Sequence, residues 1–423
     1  MSEPVVISPY LPSRRATLAE GQPISELMSR ALDNPGLISL AAGFVDQQSL
    51  PVEVVRDVLS DLLGNDVEAR AMLQYGATPG LSALRRSILE QCTSTANVQE
   101  TLDRVVITAG SNQLLHLVAE SLLDPGDIVL CAAPTYLVFL GTVANLGART
   151  WSVETDDLGM IPDALETTLL QLAESGDLPR VKAIYLVPYF DNPSGITMPA
   201  ERVQRIVEIA KQWSHKSRIH VIADEAYREL RYSGDDVPSA SEFDEDGETV
   251  IVAGTFSKSF SPGVRIGWGI LPEHLVGPVC AQKGNIDFGS PNFNQHLMAE
   301  VLRRGLFTQH VEQLRNGYRP KLEAMLNAAD EYLSPLDSVT WCRPTGGLYV
   351  WATLPSRIDT GPAGELFDHS VDEGMLYVPG QYCYPNEGQP VAKNTMRLSF
   401  GVQSCERIRE GIAALARAIQ AVA

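Results

Sequence analysis

Between Asp103 and Ile270 the chain alternates short, apolar, β-branched runs with segments whose apolar residues recur at helical spacing. Arg104-Val-Val-Ile-Thr-Ala predicts a buried strand, Asn112–Leu123 the helix after it, and Asp127-Ile-Val-Leu-Cys-Ala the next strand. Val181-Lys-Ala-Ile-Tyr-Leu-Val, His220-Val-Ile-Ala and Thr249-Val-Ile-Val-Ala continue the series, with helical patterns such as Ala200–Ser214 between them. Apolar strands separated by helices predict an α/β fold: a mostly parallel sheet covered on both faces. In such sheets the ligand-binding residues gather beyond the carboxyl ends of the strands.

After about Val311 the pattern changes. A helical stretch over Glu312–Tyr332 leads into Val339-Thr-Trp-Cys and Gly347-Leu-Tyr-Val-Trp, which alternate like antiparallel strands. Thr395-Met-Arg-Leu-Ser-Phe and a terminal helix over Glu406–Val422 complete a smaller α+β domain. The expected division is an N-terminal segment, residues 1–50, packing with the small domain, a large domain over 51–310 and the small domain over 311–423. The acidic stretch Asp235–Glu248 is expected to be a solvated loop.

Composition narrows the function. An apolar content of 44% and a charged content of 20% over 423 residues are those of a globular protein. A net charge of -19 argues against binding nucleic acid or an anionic membrane. The six cysteines and seven histidines show no paired ligand spacing, so neither a metal site nor a disulfide framework is expected. No apolar run reaches the length that spans a bilayer, and Met1-Ser-Glu-Pro-Val-Val does not open like a secretory signal. A cytoplasmic protein is expected.

Lys258 lies in Gly254-Thr-Phe-Ser-Lys-Ser-Phe-Ser-Pro-Gly-Val-Arg-Ile-Gly267, among small and hydroxylated residues and followed by Arg265. A desolvated lysine beside another cation loses its proton and becomes a nucleophile; the alternative is a polar turn between two strands. Other strand ends carry polar residues too. Gly110-Ser-Asn-Gln113 opens a helix, where backbone N–H groups favour an anion, although Ser and Asn are also ordinary helix caps. Tyr136 is placed either to stack on an aromatic ring or to pack in the core. Asn192 sits in a turn held by Pro193 and Gly195. Asp224 closes an apolar strand, where a carboxylate is costly unless a cation meets it, or else caps a helix; Tyr227 follows it. A phosphate cradle, a flat stacking residue, a buried carboxylate and a poised lysine together describe a site for pyridoxal 5′-phosphate.

Over nearly its whole length the chain resembles the fold-type I, class I/II aminotransferases. The matching motifs begin with Leu40-Ala-Ala-Gly43 and Leu73-Gln-Tyr-Gly76. They continue through Gly110-Ser-Asn-Gln113, Pro134-Thr-Tyr136, Asn192-Pro-Ser-Gly195, Asp224-Glu-Ala-Tyr227 and Ser257-Lys258, and end at Pro344-Thr-Gly-Gly347 and Met396-Arg-Leu-Ser399. The resemblance implies that Lys258 is the Schiff-base lysine, that Asp224 pairs with the pyridine nitrogen, and that Asn192 and Tyr227 bond the ring hydroxyl. It further implies that Ser111, Asn112, Thr255, Ser257 and Arg265 hold the phosphate, that Tyr136 stacks on the ring, and that Tyr75 reaches the cofactor of a second subunit in a homodimer. Gly43, Asn192 and Arg397 are implied at the substrate, with Arg397 on its α-carboxylate.

Within the family the chain is most similar to the branch of 2-aminoadipate and broad-specificity aromatic or branched-chain aminotransferases. Some members of that branch read a distal carboxylate with an arginine in an Ile-Arg-Glu-Leu run; here the run is Ile24-Ser-Glu-Leu27, so strong selection for aminoadipate is not expected unless Arg14, Arg15 or Arg30 takes that role. A regulator branch carries an N-terminal winged helix, and none is expected here, since the first motif begins at Leu40. The implied activity is ping-pong exchange of an amino group between an L-amino acid and a 2-oxo acid, 2-oxoglutarate or pyruvate. A lyase, synthase or decarboxylase on the same fold is the alternative, because the bond that breaks depends on substrate orientation. A non-catalytic regulatory protein is a third.

Overall fold

In the computed structural model, residues 11–19, 34, 36–41, 43–93, 101–215 and 217–423 are described. The run Ile24–Leu27 lies outside them.

The large domain is organised by a seven-stranded sheet: β1 (Val105–Thr108), β2 (Ile128–Ala132), β3 (Arg149–Val153), β4 (Val181–Leu186), β5 (His220–Asp224), β6 (Val250–Thr255) and β7 (Gly267–Ile270), in the spatial order β1-β7-β6-β5-β4-β2-β3. Strands β6, β5, β4, β2 and β3 run parallel; β7 is antiparallel to both its neighbours. The near-continuous apolar strands are explained by burial on both faces. Val106, Val129, Cys131, Ala183, Ile222 and Ile251 join one core cluster. Val105, Ile107, Ile128, Leu130, Ile184 and Val221, pointing the other way, join the second.

The sequence-predicted strands and helices agree with the structure to within a residue or two at most ends. The main extension is the helix expected from Glu312, which runs from Leu306 to Tyr332. The small domain carries an antiparallel sheet of β8 (Thr340–Trp341), β9 (Tyr349–Thr353), β10 (Val378–Pro379) and β11 (Thr395–Ser399), ordered β8-β9-β11-β10. Residues near Leu40 are stitched to it: Ile38–Ser39 pairs in parallel with Met375–Leu376, and Ser399 N donates to the Leu40 carbonyl at 2.7 Å. Further upstream, Arg15 instead reaches Glu120 of the large domain at 2.7 Å.

The acidic stretch is less solvated than expected. Asp244 is buried, and its Oδ2 accepts from Thr249 N at 2.9 Å and Val250 N at 2.7 Å, so the carboxylate closes the entry to β6. All six cysteines are free thiols.

Candidate active site

A cavity of about 350 Å³ opens where the carboxyl ends of β1, β2, β4, β5 and β6 meet β9 and β11 of the small domain. Its walls include Gly43, Ser111, Asn112, Tyr136, Asn192, Asp224, Tyr227, Thr255, Ser257, Lys258, Arg265 and Arg397. Of the residues expected at the site, Tyr75 alone is not brought there. It is 81% exposed and packs edge-on against Phe288, ring centroids 5.4 Å apart, on a separate groove.

Asp224, the last residue of β5, is 4% exposed. Its Oδ2 accepts from Tyr185 Oη at 3.0 Å and its Oδ1 from Ala226 N at 3.2 Å. Burial pushes its pKa up to about 6, against the lowering effects of those two donors and of Lys258. Lys258 Nζ donates to the Gly43 carbonyl at 2.8 Å. Gly43 is needed for close approach: a Cβ there would stand 2.7 Å from Tyr349 Oη.

A polar chain crosses the two domains. Arg397 Nη1 donates to Asn192 Oδ1 at 2.7 Å and Nη2 to the Ala41 carbonyl at 2.9 Å. Asn192 Nδ2 in turn donates to Tyr227 Oη at 3.3 Å, and Tyr227 Oη lies 3.1 Å from Tyr349 Oη. The guanidinium of Arg397 lies 4.4 Å from the centre of the Tyr349 ring, a cation–π contact made in a buried setting.

The remaining wall is rich in donors. Gly110, φ +89°, leads into the helix Ser111–Leu122, and a Cβ at Gly110 would come 2.6 Å from Arg265 Nη2. Arg265 itself has φ +50°, a conformation costing a non-glycine residue about 1–2 kcal/mol. It sets the guanidinium 3.4 Å from Ser257 Oγ and 3.0 Å from the Ala109 carbonyl. Ser257 N donates to Thr255 Oγ1 at 3.1 Å, and Tyr136 Oη to Asn112 Oδ1 at 3.3 Å.

A family model for aminotransferase class I and II matches residues 35–415. The chain belongs to this family. It is 35% identical over 408 residues to aromatic-amino-acid aminotransferase 1 of Thermococcus litoralis, covering 96% of this chain and 94% of that one. It is 33% identical to the 2-aminoadipate transaminase of Thermus thermophilus, covering 94% and 93%. The crystal structure of a kynurenine aminotransferase of Pyrococcus horikoshii in complex with PMP is matched with a TM-score of 0.87 at 33% identity, covering 97% of each chain. The protein is therefore an aminotransferase with the fold-type I architecture, and its cofactor is pyridoxal 5′-phosphate.

The cavity fits that cofactor on its own chemistry. The Ser111 helix start, the hydroxyls of Thr255 and Ser257 and the guanidinium of Arg265 line the cavity together, groups of the kind a phosphate accepts from. Among the described residues no arginine acts on the buried Asp224 carboxylate, which leaves its charge for a cation such as a pyridinium. The buried Nε of Arg397 has no hydrogen-bond partner among the described residues, an unfilled charged donor of the kind a carboxylate satisfies.

Two residues escaped the sequence reasoning. Tyr349 lies two residues past the Pro344–Gly347 motif, which drew attention to its glycines rather than to the tyrosine beyond them. Tyr185 was visible only as the one hydroxyl in an otherwise aliphatic strand end, a group that needs a partner when buried.

Proposed function

We propose that this cavity exchanges an amino group between an L-amino acid and 2-oxoglutarate or pyruvate in a ping-pong cycle. The observation that carries the proposal is the presence of Lys258, Asp224 and Arg397 in one cavity, drawn from both domains. When bound, pyridoxal phosphate supplies an aldehyde that bonds amines and a protonated ring that draws electrons from the substrate α-carbon.

In this proposal Lys258 is the residue that would hold the cofactor through its amine. When the substrate is in place, the free Nζ would take the substrate α-proton as general base and then give it up as general acid. The Gly43 carbonyl, which accepts from Nζ at 2.8 Å, fixes where the amine stands in the cavity. Asp224 keeps the pyridine nitrogen protonated; Asn192 and Tyr227 bond the ring hydroxyl; Tyr136 stacks on the ring. Ser111, Asn112, Thr255, Ser257 and Arg265 hold the phosphate. Arg397 grips the α-carboxylate in a planar, two-point contact.

A homodimer belongs to the same proposal, with Tyr75 of one subunit completing the phosphate site of the other. It is supported by an exposed apolar face: Leu73 is 70% exposed, Tyr75 81% and Phe288 59%. The three-part division at residues 50 and 310 and a cytoplasmic location, consistent with six free thiols, complete it.

Twenty amino donors assayed against 2-oxoglutarate and pyruvate test the exchange. Steady turnover with at least one pair and parallel double-reciprocal lines are expected. Intersecting lines would exclude the ping-pong order, and turnover without an acceptor would point to a lyase or decarboxylase.

A further inference from the structure

We propose that Tyr185 is a positioning residue that holds Asp224 anionic and fixed in orientation for the cofactor's pyridine nitrogen. This rests on the pairing of Asp224 with that nitrogen proposed above.

Tyr185 is fully buried in β4, between β2 and β5, paired with Cys131 on one side and Ile222 on the other. Its ring packs on Phe139, centroids 4.2 Å apart. A phenol placed in such a core is unfavourable unless its hydroxyl is bonded. The hydroxyl donates to Asp224 Oδ2 at 3.0 Å, from one strand to the end of the next. With Ala226 N on Oδ1, each carboxylate oxygen then has one fixed donor, and the carboxyl plane is defined from both sides.

The donor's neutrality matters. An arginine or lysine in place of Tyr185 would pair with Asp224 and compete with a pyridinium. A phenol stabilises the anion without cancelling its charge. It also stays protonated, because burial, and then the nearby Asp224 charge, raise its pKa well above the ordinary phenol value. The other titratable groups acting on Asp224 are Lys258, which favours the anion, and Asp191 and Tyr136, which share its buried surroundings. Asp191 is itself raised to about 7 by burial and is held by Ser194, Oγ to Oδ2 at 2.6 Å. Against those influences Tyr185 is the side chain that donates a hydrogen bond to the Asp224 carboxylate.

The test measures binding of pyridoxal 5′-phosphate to apo-protein by titration from pH 5 to 9, in wild type and in Tyr185→Phe. Binding requires anionic Asp224, so affinity falls as pH drops through its pKa. Losing the donor raises that pKa, and the acid fall-off should move up by about one pH unit, with binding about fivefold weaker at the wild-type midpoint and about tenfold weaker below both midpoints. At pH 5, where Asp224 is largely protonated, the apo thermal midpoint should barely move, since the ring is kept; at pH 8 it should fall slightly, because the buried anion has lost a donor. Superimposable pH curves for wild type and Tyr185→Phe overturn the proposal. Phe139→Leu loosens the ring's packing but keeps the hydroxyl, and should leave the fall-off in place; an equal shift there would assign the effect to packing and also overturn it. Asp224→Asn separates the two levels. If it weakens binding while Tyr185→Phe does not, only the role of Tyr185 fails. If neither weakens it, the pairing of Asp224 with the ring nitrogen fails as well.

Discussion

Arg397 and Asn192 meet across the two domains: Nη1 of the arginine, on β11, donates 2.7 Å to Oδ1 of the asparagine, in the turn after β4. That bond fixes which way the amide points. With its oxygen turned to Arg397, Asn192 has only its Nδ2 to offer Tyr227, so a change at the arginine proposed to grip the carboxylate reaches the group proposed to bond the ring hydroxyl.

Arg397→Ala should therefore raise KM about 10- to 100-fold for every α-amino acid alike, since all share the α-carboxylate and a charge-assisted bond is worth about 1.5–3 kcal/mol. Asn192→Ala should raise it too, and the double variant should fall short of the product of the two effects, as expected for residues in one network. Steady-state kinetics on four donors of different side chain measure this. A donor-dependent effect of Arg397→Ala would move the arginine from the α-carboxylate to the side chain.

Asp224→Asn should lose about two to four decades in kcat, on the order of 3–5 kcal/mol, because an amide does not hold the ring nitrogen protonated. The apo-protein should change in the opposite direction. Burial raises the Asp224 pKa to about 6, so between its ordinary value and 6 the folded state binds more protons than the unfolded one. Stability from this group is then present at acid pH and is lost as pH rises through that window. At pH 7–8, apo Asp224→Asn should be more stable than apo wild type by about 1–3 kcal/mol, with the gain vanishing near pH 4. Denaturant melts at both pH values decide it. Equal stability at pH 8 would mean that Asp224 is not strained by its burial.

Tyr349 separates ring from hydroxyl. Tyr349→Phe keeps the ring beside Arg397 and removes only the contact with Tyr227, so KM should change by less than about threefold. Tyr349→Ala removes the cation–π contact as well, worth about 0.5–2 kcal/mol, and should raise KM further. Equal effects of the two substitutions would place the hydroxyl, rather than the ring, in control of the arginine.

The sheet was legible because its strands carry their signal locally. Val105–Thr108, Val181–Leu186 and Val250–Thr255 are apolar on both faces, and no distant residue is needed to recognise them. Most of the cavity was legible for a related reason: Asp224, Lys258 and Ser111 stand at strand ends, where this fold gathers ligand-binding groups. Tyr185 and Tyr349 were not, because their roles are set by neighbours far along the chain. Tyr185 looks like strand filler until β5 is laid beside β4, and Tyr349 like small-domain core until Arg397 on β11 is paired opposite Trp351. Tyr75 illustrates the converse. Its motif was recognisable, but one subunit leaves it on an exposed face.

The position of Tyr75 gives the most demanding test, since it concerns assembly and chemistry together. If Tyr75 serves the partner's site, Tyr75→Ala and Lys258→Ala chains are each impaired alone, and Lys258→Ala also loses the visible colour of the lysine-bound cofactor. Mixed and reassembled, they should form heterodimers holding one intact site, with Lys258 from one chain and Tyr75 from the other. Random pairing into two-fold dimers restores about a quarter of the wild-type sites. The experiment needs Tyr75→Ala to be strongly impaired, because Arg265 shares the phosphate in the same proposal. Arg397→Ala supplies the control. Arg397 and Lys258 line the same cavity within one subunit, so mixing Arg397→Ala with Lys258→Ala leaves no intact site and should restore nothing. Recovery in the first mixture but not the second establishes a shared site. Recovery in neither, or a fully active monomer in sedimentation, removes Tyr75 from the active site and leaves its exposed ring to be explained by other contacts.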